Sequence, residues 1–361
     1  MGLLRLALAL AVLLTHLPPA TYRFMGGGLA VQCFFIVSGF YMALVLEGKY
    51  RDAGIFYSKR FLRLAPTYFV AMLLAAVVLF GLGPSATATL EMFAAFYRHP
   101  GAALLLGFQN LTLLGQELLF WFKVTGEATF SFDASNAPPS ATAAVGWQFL
   151  LVPQAWSQSM EIVFYALAPY LARVRSGTLA ALALASMALR VAGHWLPVDF
   201  GLWQGRLFPT ALFLFLLGML AFRALPLAGR LPVAAAWAAN GLVLAIVVAL
   251  PLLKLNEEVG RWLVYGLVAV AVPLIFNALK DFTLDRWIGE LSYPIYLGHL
   301  MVVGLVLRYE PPHPVVVAFA GTLALATLLF AFIDRPVDRW RQARARASVT
   351  RPVPATAPAR A

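Results

Sequence analysis

Long apolar runs alternate with short polar segments along most of the chain, and each run approaches the length of a bilayer crossing. About 20 apolar residues, rising about 1.5 Å each, cover a hydrocarbon core of about 30 Å. Ten runs fit that pattern, at about 3–17, 29–47, 65–83, 156–172, 177–193, 207–223, 232–252, 260–279, 291–308 and 314–333. They predict an all-α fold, a polytopic membrane helical bundle of about 10 transmembrane helices. The first run, behind Met1 to Arg5, also suits a secretory signal peptide. Its charged start is thin, and no small-x-small cleavage site precedes Pro18 and Pro19, so it is taken as the first helix.

Composition agrees with the pattern. Of 361 residues 61% are hydrophobic and 12% charged, which excludes a soluble globular domain. The net charge of +11 is first a topology signal, not a nucleic-acid footprint. With the N-terminus inside, the inner segments and tail hold 19 of the 27 Lys and Arg residues. That asymmetry predicts N-in/C-in. The apolar stretch 101–122 invites an eleventh crossing, but an odd crossing would put Arg173 and everything after it on the wrong side. Residues 87–122 are therefore expected to lie in or dip into the outer leaflet, interrupted at Gly107, Asn110 and Gly115. Residues 123–150 are then an outer loop rich in turn formers. One membrane unit is expected over 1–340, with a basic Pro/Ala-rich cytoplasmic tail over 341–361. A single cysteine and five scattered histidines offer no metal-ligand spacing, so no metal is expected.

Polar residues within the apolar runs are the candidates for chemistry, because at that depth they are costly. Arg5 and His16 stand eleven residues apart on the first run, close to three helical turns, so they share one face about 16 Å apart. His16 alone would also suit a structural histidine at a helix end. Lys59, Arg60 and Arg63 close the loop 48–64 just before Pro66. Arginine forks suit phosphate oxygens, although positive-inside charge and lipid headgroups explain such a cluster equally well. Ser157, Glu161 and Tyr165 recur at i, i+4 and i+8, one polar stripe that could also be helix packing. Tyr296 and His299 are i, i+3 neighbours in LSYPIYLGHL, and Ser38-Gly39 in FFIVSGF suits a close helix approach. An inner cationic site and a deep imidazole about 16 Å apart match the reach of an extended pantetheine arm. A histidine there can serve as general base on a hydroxyl, or as an acylated nucleophile.

Together the segments Arg5-x10-His16, FFIVSGF, KRFLRLAPTY, WSQSMEIVFYALAP, RLFPTALFLFLLGM, ELSYPIYLGHL and IDRPVDRW resemble the membrane-bound acyltransferase-3 family. The chain looks like the bare transmembrane domain of that family. The resemblance implies an acyl-CoA donor, acetyl-CoA first, taken from the cytoplasm across a bacterial inner (cytoplasmic) membrane. It implies a carbohydrate acceptor outside, acylated on a hydroxyl, with membrane lipids as the remaining partners. It carries catalytic roles onto His16, Glu161 and His299, and donor binding onto Arg5, Arg60, Arg63, Lys59 and Ser38. Tyr165, Tyr296 and Arg206 are expected on the acceptor, with Arg190 and Asp199 near the outer surface. Gln158, Met160 and Asp334 depart from the family's usual residues at their positions; Glu161 is kept. The alternative function is a proton-coupled transporter or flippase of an anionic or sugar-linked lipid, for which no internal repeat is seen. A third is an accessory subunit of a glycan assembly complex.

Overall fold

The computed structural model describes residues 1–18, 22–48, 53–83, 93–94, 98–125, 129–137 and 143–341. Each of the ten apolar runs is a helix. They are α1 (Gly2–Thr15), α2 (Gly27–Gly48), α3 (Ala53–Val77, continued by a π turn Val78–Leu82), α5 (Trp156–Leu171) and α6 (Ser176–Ala192). Next come α8 (Phe208–Arg223), α9 (Val233–Ala249), α10 (Glu257–Leu279), α12 (Ser292–Tyr309) and α13 (Pro314–Leu329). Shorter helices α4 (Pro100–Thr112), α7 (Phe200–Arg206) and α11 (Thr283–Glu290) complete the set. Among the described residues, seven helices are long and apolar enough to cross a membrane, or eight if α7 and α8, bent by 49°, form one span. Two of the ten fall short. They are α1 with 14 residues and α5 with 16. At about 1.5 Å per residue α1 is only about 21 Å long. Both carry candidate site residues.

The loop expected over 48–64 is not a loop at its C-terminal end. Helix α3 starts at Ala53 and runs through Pro66, so Lys59, Arg60 and Arg63 sit on a helix. A proline inside a helix forfeits one backbone bond, which the long flanking turns tolerate. Residues 101–122 are not one crossing. Helix α4 ends where Leu113 and Gly115 take left-handed φ values of 65° and 75°, and a 3-10 turn Gln116–Trp121 follows. Gly107 and Asn110 do not interrupt it. Asn110 is inside α4, where its side chain bonds the Leu106 carbonyl at 2.9 Å and the Leu151 amide at 3.0 Å. The outer loop folds into a three-stranded antiparallel sheet, β2 (Phe130–Phe132), β1 (Phe122–Thr125), β3 (Ala143–Val145), which the apolar pattern did not reveal. Residues 342–361, expected as the tail, and Lys49 and Arg51 lie outside the described residues.

Helices α2 and α8 cross in closest contact. A Cβ on Gly39 would stand 1.9 Å from the Phe215 carbonyl oxygen, and one on Gly218 would stand 2.0 Å from that of Ile36. Glycine is needed at both positions for the two backbones to touch. Segments assigned to one side of the membrane meet one another. Arg223 bonds Glu47, Ser176 and the Ala172 carbonyl, all from the proposed inner side. The Asp199 amide bonds the Ala134 carbonyl at 2.6 Å, both from the proposed outer side. Met1 and Arg341 line one cavity, so both ends of the described chain lie at the same end of the bundle.

Candidate active site

Helix α1 packs against α2, α11 and α12, and its start is held by a carboxylate from far along the chain. Asp285 accepts from the Met1 amine at 2.5 Å, from the Gly2 amide at 2.7 Å and from the Leu3 amide at 2.9 Å. Those are the orphan donors of a helix N-terminus, and an anion there also suits the helix dipole. The cap works because Gly2 lets α11 approach: a Cβ would fall 1.5 Å from the Asp285 carbonyl oxygen. With α1 so anchored, Arg5 and His16 are placed at opposite ends of one helix.

A cavity of about 640 Å³ opens beside the Arg5 end. Arg5, Arg60 and Arg63 line it, joined by Lys280, Arg286 and Arg341. Lys59, expected to help hold the donor, does not line it, because it projects from the adjacent face of α3. The cations are not all unopposed. Arg63 pairs with Glu290 at 2.5 Å and lies 3.8 Å from Asp338, which also holds Arg341 at 2.6 Å. Arg5 and Arg60 make no ion pair among the described residues, and the Arg60 Nε is buried without a partner. A buried guanidinium nitrogen left unsatisfied inside an electropositive cavity is what an incoming phosphate oxygen would complete.

Deeper in, the cavity wall is hydroxyl-rich. Glu161 accepts from the Ser38 hydroxyl and, at 2.5 Å, from the Tyr165 hydroxyl, so the polar stripe of α5 is used as the spacing suggested. Ser157, one turn earlier, donates to the Tyr296 hydroxyl at 2.7 Å, and Tyr296 donates onward to the Gln154 carbonyl at 2.5 Å. Glu161 therefore stands on the cavity beside Ser38 and Tyr165, with no contact to either histidine among its hydrogen bonds. Tyr165, expected toward the acceptor, lines the same wall as Arg60.

The histidines lie beyond Tyr296. His16 caps the C-terminus of α1, and its ring centroid is 5.0 Å from that of His299, which is 5.9 Å from Tyr296. The His16 Nδ1 is 2.9 Å from the Val12 carbonyl, and the His299 Nδ1 is 2.7 Å from the Tyr296 carbonyl. A carbonyl can only accept, so Nδ1 donates in both rings and, in the neutral form, Nε2 keeps its lone pair. The buried His299 Nε2 has no partner among the described residues. Two neutral imidazoles in ring contact share a simple property: once one is protonated, charging the other becomes unfavourable.

Residues 1–333 match the acyltransferase domain of the acyltransferase-3 family. The chain belongs to this family of acyltransferases. It is also 25% identical over 338 residues to the exopolysaccharide production protein ExoZ of Rhizobium meliloti (strain 1021), across 90% of this chain and 93% of that one. No solved structure matches significantly.

In this acyltransferase the expected residues thus fall into two groups. Arg5, Ser38, Arg60, Arg63, Glu161, Tyr165 and Tyr296 share the cavity, while His16, His299 and Arg206 lie beyond it. Arg206 stacks its guanidinium on Trp156 at 3.5 Å and on Phe120 at 4.1 Å. Its charge is felt at both His16 and Tyr296. Arg190 differs from its expected place at the outer surface. It is fully buried, bonded to Gln204, Gln32 and Tyr265 and covered by aromatic rings, and it braces α2, α6, α7 and α10 together. Four acids of the cavity were not singled out from the sequence: Asp281, Asp285, Glu290 and Asp338. Glu290 opens the ELSYP segment and Asp338 lies in IDRPVDRW, so the only available signal was their place in those segments. Tyr293, also on the cavity, bonds the Leu64 carbonyl at 2.8 Å and Gln158 at 3.2 Å.

Proposed function

We propose that this acyltransferase moves an acyl group, acetyl first, from cytoplasmic acyl-CoA to a hydroxyl of a cell-surface or secreted glycan on the outer face of a bacterial inner membrane. The observation that carries the reading is the unpartnered Arg60 Nε in a cavity whose lining passes from Arg5, Arg60 and Arg63 to Ser157 and Tyr296, one side chain short of the histidine pair. The cations take the nucleotide phosphates, and the pantetheine arm lies along α1 past Ser38 and Glu161. His16 Nε2 removes the proton from the acceptor hydroxyl as its oxygen attacks the thioester carbonyl. The C–O bond forms, the C–S bond breaks, and the proton passes from His16 to the departing thiolate. His299 holds its ring against His16 and positions it. The Lys and Arg asymmetry supports an Arg5 end at the cytoplasm and a His16 end outside. ExoZ, by its name, acts in exopolysaccharide production, which supports a polysaccharide acceptor.

The test is glycan mass spectrometry of a host with and without the gene, paired with acyl-CoA binding to the purified full-length protein in nanodiscs. The expected result is one gene-dependent acyl mass on one glycan, with acyl-CoA binding weakened by Arg60→Ala. Glycan movement across proteoliposomes without acyl-CoA, and no acylated product, would favour the transporter.

A further inference from the structure

Arg206 presents an unusual arrangement on the histidine side. Its guanidinium carbon lies over the rings of Trp156 and Phe120, which meet edge to face at 72°, and Trp147 stacks on Phe120 with 5.5 Å between centroids and 16° between planes. The Arg206 carbonyl accepts from the Trp121 indole at 3.4 Å, which ties the α7–α8 bend to the sheet side of the molecule. Among the described residues the guanidinium has no hydrogen bond and no carboxylate within ion-pair distance. Arg190 and Arg223, by contrast, are each bonded to several acceptors. A guanidinium without an acceptor keeps its N–H groups free, and these form the planar fork that meets a carboxylate with two parallel hydrogen bonds. Trp156 is followed by Ser157, which bonds Tyr296, so the fork stands next to the deep end of the cavity and the histidines.

We propose that the acceptor is an acidic saccharide, and that Arg206, framed by Trp156, Phe120 and Trp147, binds a sugar carboxylate close to the hydroxyl that is acylated. This rests on the glycan acylation above and adds the acceptor's chemical class. The carboxylate supplies the counter-ion the guanidinium lacks, and the bidentate pair fixes which hydroxyl of the sugar reaches His16. A neutral sugar would leave the cation unpaired, so the site discriminates by a missing partner.

The experiment uses the full chain in phosphatidylcholine nanodiscs, with oligoglucuronate and oligogalacturonate as probes and their carboxyl-reduced counterparts as controls. Binding is read by calorimetry without acyl-CoA, so it does not depend on the donor reading. At least one acidic probe is expected to bind tenfold or more tightly than its reduced form. Arg206→Lys should lose most of that preference and Arg206→Ala all of it, with elution profile and melting temperature confirming folded protein. Equal binding of acidic and reduced probes, or a preference that survives Arg206→Ala, would overturn the proposal. So would Arg206-dependent binding of phosphatidylglycerol alone, which would assign the fork to a lipid headgroup phosphate. Failure of wild-type protein to bind acyl-CoA would instead sink the donor reading and leave the saccharide result standing.

Discussion

The two ends of α1 are built on opposite electrostatic plans. At the Arg5 end, charge is dense and partly compensated. Asp285 caps the helix start, Glu290 and Asp338 hold Arg63, and Arg5, Arg60, Lys280 and Arg286 stay without an ion pair among the described residues. At the His16 end, two imidazoles donate to backbone carbonyls, and a lone guanidinium rests on aromatic rings. The difference matches two tasks. On the proposed reading a polyanion is admitted and released at the first end, where acids partly compensate the cations. On the proposed reading, proton transfer needs a base that is neutral and correctly tautomerised before its substrate arrives, and among the described residues no carboxylate pairs with His16, His299 or Arg206.

Substitutions at the two ends should therefore fail in different ways. The largest effect is expected from His16→Ala: loss of a general base lowers kcat by about 10² to 10⁴ while acyl-CoA affinity stays unchanged. A parallel drop in donor affinity would erase the distinction between the ends. Arg5→Ala should do the reverse, raising the donor Kd about tenfold, equivalent to about 1.4 kcal/mol, with kcat at saturating donor retained. Titration of the variant with acyl-CoA and with its dephosphorylated analogue reads this directly. Glu290→Gln is expected to act less strongly, since a part-exposed ion pair contributes only about 1 kcal/mol. It frees Arg63 for the donor, so affinity should tighten by a factor of a few while the melting temperature falls. Weaker donor binding would mean that Arg63 needs its acid to stay in position. Lys59→Ala, one residue from Arg60 but off the cavity, should change donor affinity less than twofold in the same titration. An Arg60-sized effect would mean that the cavity wall extends to the other face of α3.

The sequence carried the ten helices to within a few residues at most ends, because apolar runs of that length have few other solutions. It placed the start of α3 badly, since Ala53 to Leu64 is amphipathic at the interface and looks like a basic loop. It missed the small sheet, whose strands of three or four residues leave too short an alternation to read. For the site, Glu161 was found through its i, i+4 spacing to Ser157 and Tyr165, but that spacing did not reveal Ser38 as its partner. Periodicity assigns a residue to a face of its own helix and says nothing about which neighbour that face meets. Asp285, Glu290 and Asp338 could not be recognised for the same reason: each looks like an ordinary interfacial acid until α1 and α3 pack beside it.

By itself, then, the sequence determined that the chain is a bundle of apolar helices, that one helix separates a cation from an imidazole by three turns, and that positive charge gathers on one side. Those follow from local geometry and from the cost of leaving polar groups in hydrocarbon. Only the tertiary structure decided that His299 completes a pair with His16, that Asp285 anchors α1, and that Arg206 is left with an open edge. Each of these joins residues more than 35 positions apart or depends on a bonding partner being absent, and neither property can be read along the chain.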